Sequence, residues 1–389
     1  MSDGEISSHA QKLDLLPRTG AGTLMGKLLR KFWHPVALLD KIPRGRGLQL
    51  KVLSEELALY RGESGKLFLV SNRCPHRRTF LHTGQIEGDD IRCMYHGWKF
   101  AGDGRCVERP AEKAENNHQC SIRSYPVREY AGMAFAYLGE GEPPSFEMSR
   151  KHPFEAAGSL VFARAETWPC NWLQQVENSL DAVHVSFAHQ WGMIGTFGQI
   201  VTNNIPVLDY EETDAGIRQT AIRPGNRVRI SDWTFPNNNH IIQPGRQLND
   251  PWLDIGIWMT PNDDHTTTRF IIYAIKSQGP EKDREFTETF MKYRDYNPAD
   301  HHDELINQRV VPEDELVELT SAQDYVAAVG QGPIADRHNE FLGYSDKGII
   351  FLRRIMWREL EKISKGEPTK LWRKLKEEAK LPTQSAVNA

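Results

Sequence analysis

The chain has 389 residues, 39% hydrophobic and 26% charged, and a formal net charge of −4. That length exceeds one small domain and implies two to three folded units. The composition is that of a globular protein with no run near the roughly 18 apolar residues of a membrane span, and the weak charge offers nothing to nucleic acid or an anionic membrane.

The opening MSDGEISSHAQKLDLLPRTG is polar and lacks the apolar core of a secretory signal. Residues 23–39, TLMGKLLRKFWHPVALL, carry apolar residues at helical spacing until Pro35. From about residue 47 to 140 short alternating runs follow: LQLKVL, LALYRG, KLFLVSN, IRCMYHGWKF and MAFAYLG. Gly, Asn and Asp break them, which predicts a small antiparallel β-domain.

Inside it lie Cys74-x-His76 and, after sixteen residues, Cys93-x2-His96. Two such pairs suit a mixed iron–sulfur site, with one iron on the thiolates of Cys74 and Cys93 and the other on the imidazoles of His76 and His96. Replacing two thiolates by neutral imidazoles raises the potential of such a 2Fe-2S cluster. Structural zinc is the rival reading, but zinc fingers usually place two cysteines together ahead of two histidines, and here the types alternate. With Gly97-Trp98 and the turn Gly102-Asp103-Gly104, the stretch resembles a Rieske cluster-binding motif, and FWHPVALL resembles the first strand of Rieske oxygenases. Cys106, Cys120 and Cys170 remain, an odd set that reads as reduced thiols and points to the cytoplasm.

Glu140-Gly-Glu-Pro-Pro144 is a polar boundary. Beyond it, strand-like runs fall around 160–168, 215–235, 253–260 and 268–276. Helical stretches fall around 170–189, 281–296 and 313–329, and GIIFLRRIMWRELEKISKG ends at Gly366. The expected division is an N-terminal helical segment packing on the catalytic domain (1–45), the cluster domain (46–142), the catalytic domain (143–382) and a disordered tail (383–389). The Arg-rich RVRISDW (227–233) reads as an ordinary strand, Trp233, Trp252 and Trp258 as core, and Asp300-His-His-Asp303 as an acidic helix start in solvent.

The stretch NWLQQVENSLDAVHVSFAHQ, residues 171–190, offers Asp181, His184 and His189 within nine positions. Two imidazoles and a carboxylate on adjacent positions form the facial triad of non-haem Fe(II) oxygenases. On an ideal helix Asp181 and His184 share a face, while His184 and His189 stand about 140° apart. A break near Val185–Ala188 is therefore expected.

Asn-x2-Asp-x2-His-x4-His resembles the mononuclear-iron motif of Rieske oxygenase large (alpha) subunits. The resemblance implies that His184 and His189 ligate iron. Asp181 would not ligate; it would bridge His184 to a Rieske histidine of the neighbouring subunit. The third ligand would be a carboxylate on a late helix, Asp324 in SAQDYVAAVGQG rather than Asp336 in GPIADRHNEFLG, where Asp336 and Arg337 read as a turn-forming pair. Asn178 is not assigned as a ligand.

The GPIADR and LGYSD segments resemble the phthalate-dioxygenase group. The implied fold is α+β, with an antiparallel β Rieske domain inserted in a larger helix-grip (START-like) domain, whose central antiparallel sheet is surrounded by helices. The implied cofactors are the Rieske cluster and a mononuclear Fe(II). The implied function is that of the terminal oxygenase in a multicomponent system, which hydroxylates or oxidatively dealkylates an aromatic compound, an aromatic carboxylate being one candidate. No nucleotide-binding fingerprint is present, so electrons come from a separate reductase of the flavin or ferredoxin type. Too great a separation of the two sites within one chain implies a homotrimer or dimer of trimers. The alternative is a Rieske-type electron carrier without oxygenase chemistry.

Overall fold

The computed structural model describes residues 9–113, 120–147, 152–189, 203–224, 227–243, 253–308 and 319–373. Two short helices, α1 (His9–Leu15) and α2 (Leu24–Leu29), open the chain. Thr23 caps α2, its hydroxyl accepting from the Gly26 amide at 3.0 Å. The helical pattern ends at Leu29, ahead of Pro35, and Trp33–Leu38 is strand β1.

The alternating runs become β2 (Leu48–Val52), β3 (Glu55–Arg61), β4 (Leu67–Ser71), β5 (Gln85–Glu87), β6 (Asp90–Arg92), β7 (Lys99–Phe100), β8 (Cys106–Glu108), β9 (Ser124–Tyr125), β10 (Val127–Tyr130) and β11 (Met133–Tyr137). They form two four-stranded sheets, β2–β3–β4–β9 and β5–β6–β7–β8, and a three-stranded sheet, β1–β11–β10. Pro35 is accommodated because β1 lies at a sheet edge and is bulged between Pro35 and Ala37. This pairing joins the N-terminal segment to residues 133–137, across the expected boundary at 45/46.

The β2–β3 turn holds Leu53 and Ser54 at φ 48° and 67°, the two positive values of a type I′ hairpin. Their amides donate to the carbonyls of Pro261 and Asn262 at 2.9 and 2.8 Å. The turn is thereby fastened to the larger half of the molecule.

That half opens with α3 (His152–Glu155), β12 (Ser159–Trp168), α4 (Trp172–Leu180) and α5 (Val185–Ala188). Then come β13 (Val207–Glu212), β14 (Gly216–Arg223), β15 (Arg227–Thr234), β16 (Asn238–Gln243), β17 (Leu253–Pro261) and β18 (Thr267–Lys276). The seven strands make one antiparallel sheet ordered β12–β18–β17–β16–β15–β14–β13. Strand β17 is apolar nearly throughout because both its faces are covered. Ile255, Ile257 and Met259 pack with Trp172, Leu173 and Val176 of α4, while Trp258 packs with Met133 and Phe135 of the three-stranded sheet.

Helices α6 (Pro280–Tyr293), α7 (Leu319–Val329) and α8 (Lys347–Ser364) complete the domain. Leu352, Ile355, Met356 and Leu360 of α8 share a core with Met25, Leu28 and Leu29 of α2. Gly366, at φ 70°, follows the end of α8. The architecture is α+β, a β-domain beside a central antiparallel sheet with helices around it. The tail after Pro382 and Trp252 lie outside the described residues. Among the described residues no helix is long and apolar enough to cross a membrane.

Candidate metal centres

Cys74 and His76 stand on the loop between β4 and β5, and Cys93 and His96 on the loop between β6 and β7. The two loops close alike. The Cys74 amide donates to the Thr79 carbonyl at 2.9 Å and the Arg78 amide returns to the Cys74 carbonyl at 2.8 Å. In the second loop the Cys93 amide donates to Trp98 at 2.8 Å and the Gly97 amide to Cys93 at 3.1 Å. Arg78 and Gly97 occupy the matching positions at φ 62° and 72°, so each loop turns back through a left-handed residue. At Gly97 a Cβ would also come within 3.3 Å of the Pro110 ring.

Both cysteines are buried and free of disulfide. Their scaffold is the core of Ala58, Tyr60, Val70, Leu81, Ile91 and Phe100. The imidazoles of His76 and His96 lie with ring centroids 4.5 Å apart, and Trp98 stacks on His76 at 4.8 Å. Burial pushes the Cys74 thiol up to about 11, against backbone hydrogen bonds from His76 and Arg77 that favour the thiolate. Burial, then His76 and Arg77, lower the pKa of His96 and keep its imidazole neutral. The Nδ1 of His76 is buried without a hydrogen-bond partner. Two buried thiols, one of them supplied with backbone N–H donors, and two neighbouring imidazoles fit a Rieske cluster.

The second group forms where α4 ends. Its helix stops at Leu180, and Asp181 is extended at φ −88°, ψ 108°. The cause is Asp181 itself: its Oδ1 accepts from the Val183 amide at 2.7 Å and weakly from the His184 amide at 3.4 Å, a local bond that competes with the helix. The chain therefore breaks at residues 181–184, before the expected position, and Val185–Ala188 is a helical turn of its own. Asp181 and His184 do not share a helix face.

The break swings both histidines toward α7. His184 Nε2 lies 3.4 Å and His189 Nε2 3.3 Å from Asp324 Oδ1. One ligand atom from each of the three falls within 4.8 Å of the others, and the group is mostly buried. Bonds of about 2.1 Å at right angles hold neighbouring ligand atoms about 3 Å apart, so these separations fit three adjacent positions around one ion. Burial works against ionised Asp324, but hydrogen bonds from His184 and His189 hold its carboxyl well below the usual range. Burial also opposes protonation of His184, while contact with Asp324 raises its pKa overall. Asp336, by contrast, is exposed in a turn with Asn339 and lies outside this group.

Around the three lies a support that spacing alone does not reveal. Asn178 Nδ2 donates to Asp324 Oδ1 at 3.0 Å, so Asn178 steadies the carboxylate instead of bonding within its helix. Gln323 Oε1 lies 3.0 Å from His189 Nδ1. Arg269 Nη2 stands 3.9 Å from Asp324 Oδ2, over the Trp168 ring, with Glu166 on its other side at 3.4 Å. Asp181 Oδ2 is 3.9 Å from His184 Nδ1, and that Nδ1 is buried without a hydrogen-bond partner.

Two other readings gain detail. Arg337 lies in the turn whose Asn339 amide donates to the Asp336 carbonyl at 3.3 Å, and its side chain is buried against Glu177 at 2.8 Å. His302 bonds the Tyr325 hydroxyl at 2.5 Å, so Asp300–Asp303 is anchored and not merely solvated. RVRISDW is the strand expected.

Comparison with known proteins agrees with this geometry. Residues 32–128 match the Rieske 2Fe-2S domain family, and residues 136–386 match the family described as LigXa C-terminal domain like. The chain is 32% identical over 369 residues to the 5,5'-dehydrodivanillate O-demethylase oxygenase subunit of Sphingobium sp. (strain NBRC 103272 / SYK-6), covering 93% of this chain and 82% of that one. It is 29% identical to the phthalate 4,5-dioxygenase oxygenase subunit of Pseudomonas putida, covering 91% and 86%. Among solved structures, the oxygenase in the reduced oxygenase–ferredoxin complex of carbazole 1,9a-dioxygenase matches with TM-score 0.65 at 19% identity, over 90% of this chain and 91% of that one. The C-terminal match and the converged histidines leave no place for a bare electron carrier. The chain belongs to the Rieske non-haem iron oxygenases, as an oxygenase (alpha) subunit of the phthalate-dioxygenase-like group, with a 2Fe-2S cluster and a mononuclear iron as its cofactors.

Proposed function

We propose that Cys74, His76, Cys93 and His96 hold the cluster, that His184, His189 and Asp324 hold the iron, and that Asp181 carries the connection between the two sites. The observation that supports this most is the meeting of three ligand atoms from α5 and α7 within 4.8 Å. When bound, the cluster stores one electron and the iron activates O2. The chain's residues do the rest. Asn178 orients Asp324 by donating to its Oδ1, and Arg269 stands beside its Oδ2. Gln323 accepts the Nδ1 proton of His189, which leaves Nε2 free as a donor atom. Asp181 faces Nδ1 of His184 and keeps its other side partly open to solvent.

The substrate in this reading is an aromatic carboxylate, as the phthalate and dehydrodivanillate of the relatives' names suggest. The reaction is hydroxylation or oxidative dealkylation. Electrons come from a cytoplasmic reductase of the flavin or ferredoxin type. Residues 46–142, with β1 added, serve as the cluster domain and 143–382 as the catalytic domain. The working assembly is a head-to-tail homotrimer, or a dimer of trimers, in which one subunit's cluster serves its neighbour's iron.

Iron analysis and product analysis under labelled O2 test this together. The expectation is three irons per chain and labelled oxygen in the product of an aromatic acid. One labelled atom in the product marks monooxygenation and two mark a dihydrodiol. Two irons per chain and unlabelled product would leave only electron transfer.

A further inference from the structure

Two arginines share the sheet face that meets the metal loop. Along β14 and β15, Ile217 faces Trp233, Gln219 faces Ser231, and Ala221 faces Arg229. Side chains two residues apart on a strand share a face, so Arg223 lies diagonal to Arg229 on the face that carries Gln219. That face meets the end of α4 from which the metal loop hangs. Gln219 Nε2 donates to the Leu180 carbonyl, and Asn239 Nδ2 donates to the Ser179 carbonyl at 2.9 Å. Arg223 is linked to the loop more closely still. Its Nε donates to the Asn204 carbonyl at 3.2 Å, and the same carbonyl accepts from the Ser186 hydroxyl at 3.2 Å. Ser186 lies between His184 and His189.

The other buried or half-buried arginines described on this sheet and on α8 have acids beside them. Arg164 pairs with Glu166 at 2.7 Å, Arg218 with Asp232 at 2.7 Å and Arg353 with Glu177 at 2.6 Å. Arg223 has no such partner among the described residues. It is 4% exposed, and its Nη2 is buried without a hydrogen bond. Arg229 bonds the Ser231 hydroxyl at 3.3 Å. It keeps some accessible surface although protein encloses it, as a side chain lining a cavity does. Burial lowers both guanidiniums, Arg229 to about 10, and repulsion from Arg223 adds to the effect there. Two enclosed, mutually repelling cations cost free energy until an anion joins them. The planar fork of a guanidinium matches a carboxylate.

We propose that Arg223 and Arg229 are the anchor for the substrate's carboxylate, holding an aromatic acid so that its ring faces the centre formed by His184, His189 and Asp324. The assignment rests on the oxygenase reading above and adds to it which residues select the acid.

The test is calorimetric binding, without O2, of phthalate, benzoate and vanillate and of their methyl esters to the metal-loaded enzyme. At least one acid should bind ten times or more tighter than its ester, the order expected for a charge-assisted pair. Arg223→Gln and Arg229→Gln should each weaken that acid about 10- to 100-fold and leave ester affinity within about twofold. Arg223→Lys should fall between, since it keeps the charge and loses the fork. The visible spectrum of the cluster checks that each variant is folded, and Arg229→Gln, in the less buried position, carries the test should Arg223→Gln not fold. Equal losses for acid and ester, no loss in either folded variant, or a wild type that binds no acid better than its ester would overturn the anchor. Iron counts separate the two ideas: three irons with no acid preference defeats the anchor alone, whereas two irons with the preference intact defeats the oxygenase reading alone.

Discussion

His189 illustrates how one neighbour sets a ligand's chemistry. Gln323 Oε1, 3.0 Å from Nδ1, can only accept, so Nδ1 carries the proton and the Nε2 lone pair faces Asp324. Gln323→Leu should weaken Fe(II) binding about 10- to 100-fold, the usual cost of losing such a partner, and leave the cluster absorbance unchanged. An Fe(II) titration that gives the wild-type affinity would remove that role. Asp324→Ala should drop the count from three irons to two per chain, while Asp336→Ala, in an exposed turn, should keep three. The grouping of His184, His189 and Asp324 was legible because His and Asp announce metal chemistry by type and spacing. Gln323 was not, since an amide beside Asp324 carries no signal until the helix is set against His189. Arg229 was hidden in the same way. RVRISDW reads as a strand, and only the register with Ala221 shows which face it lines.

Helix α4 ties the metal loop to the far side of the domain through Glu177. Its carboxylate accepts from Arg337 Nη2 at 2.8 Å and from Arg353 Nε at 2.6 Å. Burial favours the neutral acid, but Arg337 and Arg353 outweigh it and hold the pKa below the ordinary value. A carboxyl depressed on folding stabilises the protein above its unfolded pKa, about 4.3, and that contribution is lost as pH falls through the folded value. Glu177→Leu leaves two buried cations facing an alkyl group and should cost about 3–5 kcal/mol at pH 7. Urea midpoints should show the gap between wild type and Glu177→Gln shrinking as pH drops below 4; a gap that widens there would mean the carboxylate is not the stabilising form. The sequence pattern marked α4 correctly as helical, yet it put the break near Val185–Ala188, past the point where the helix stops at Leu180. It is blind to a side chain such as Asp181, which caps its own following turn. The link from Glu177 to Arg337 spans 160 residues, a distance over which no local pattern speaks. The turn at Arg337 was therefore read, and its side chain's partner was not.

At the scale of the molecule, the question is which cluster feeds which iron. The two halves are held in fixed register, since the Leu53–Ser54 turn is bonded to Pro261 and Asn262. The surfaces an exchange would use are open: Met94 and Tyr95 on the second cluster loop are 67% and 52% exposed, and the Asp181 side chain is 26% exposed. The alternating runs made the antiparallel β-domain readable, because each is a local pattern. An assembly depends on surface shape and is not written in periodicity. It can be settled by mixing two inactive variants. His96→Ala should lack the cluster but keep the iron; His184→Ala should lack the iron but keep the cluster. Each alone should give no product. Unfolded and reassembled together at equal amounts into head-to-tail trimers, half the subunits hold iron, and half of those sit beside a neighbour with a working cluster. About a quarter of the wild-type activity should return. If electrons ran within one chain, no mixture could recover any, because neither variant has both centres. Asp181→Ala introduced into the iron-bearing variant should abolish the recovered quarter while both metal contents stay unchanged, which places the bridge at Asp181 on the receiving side of the interface.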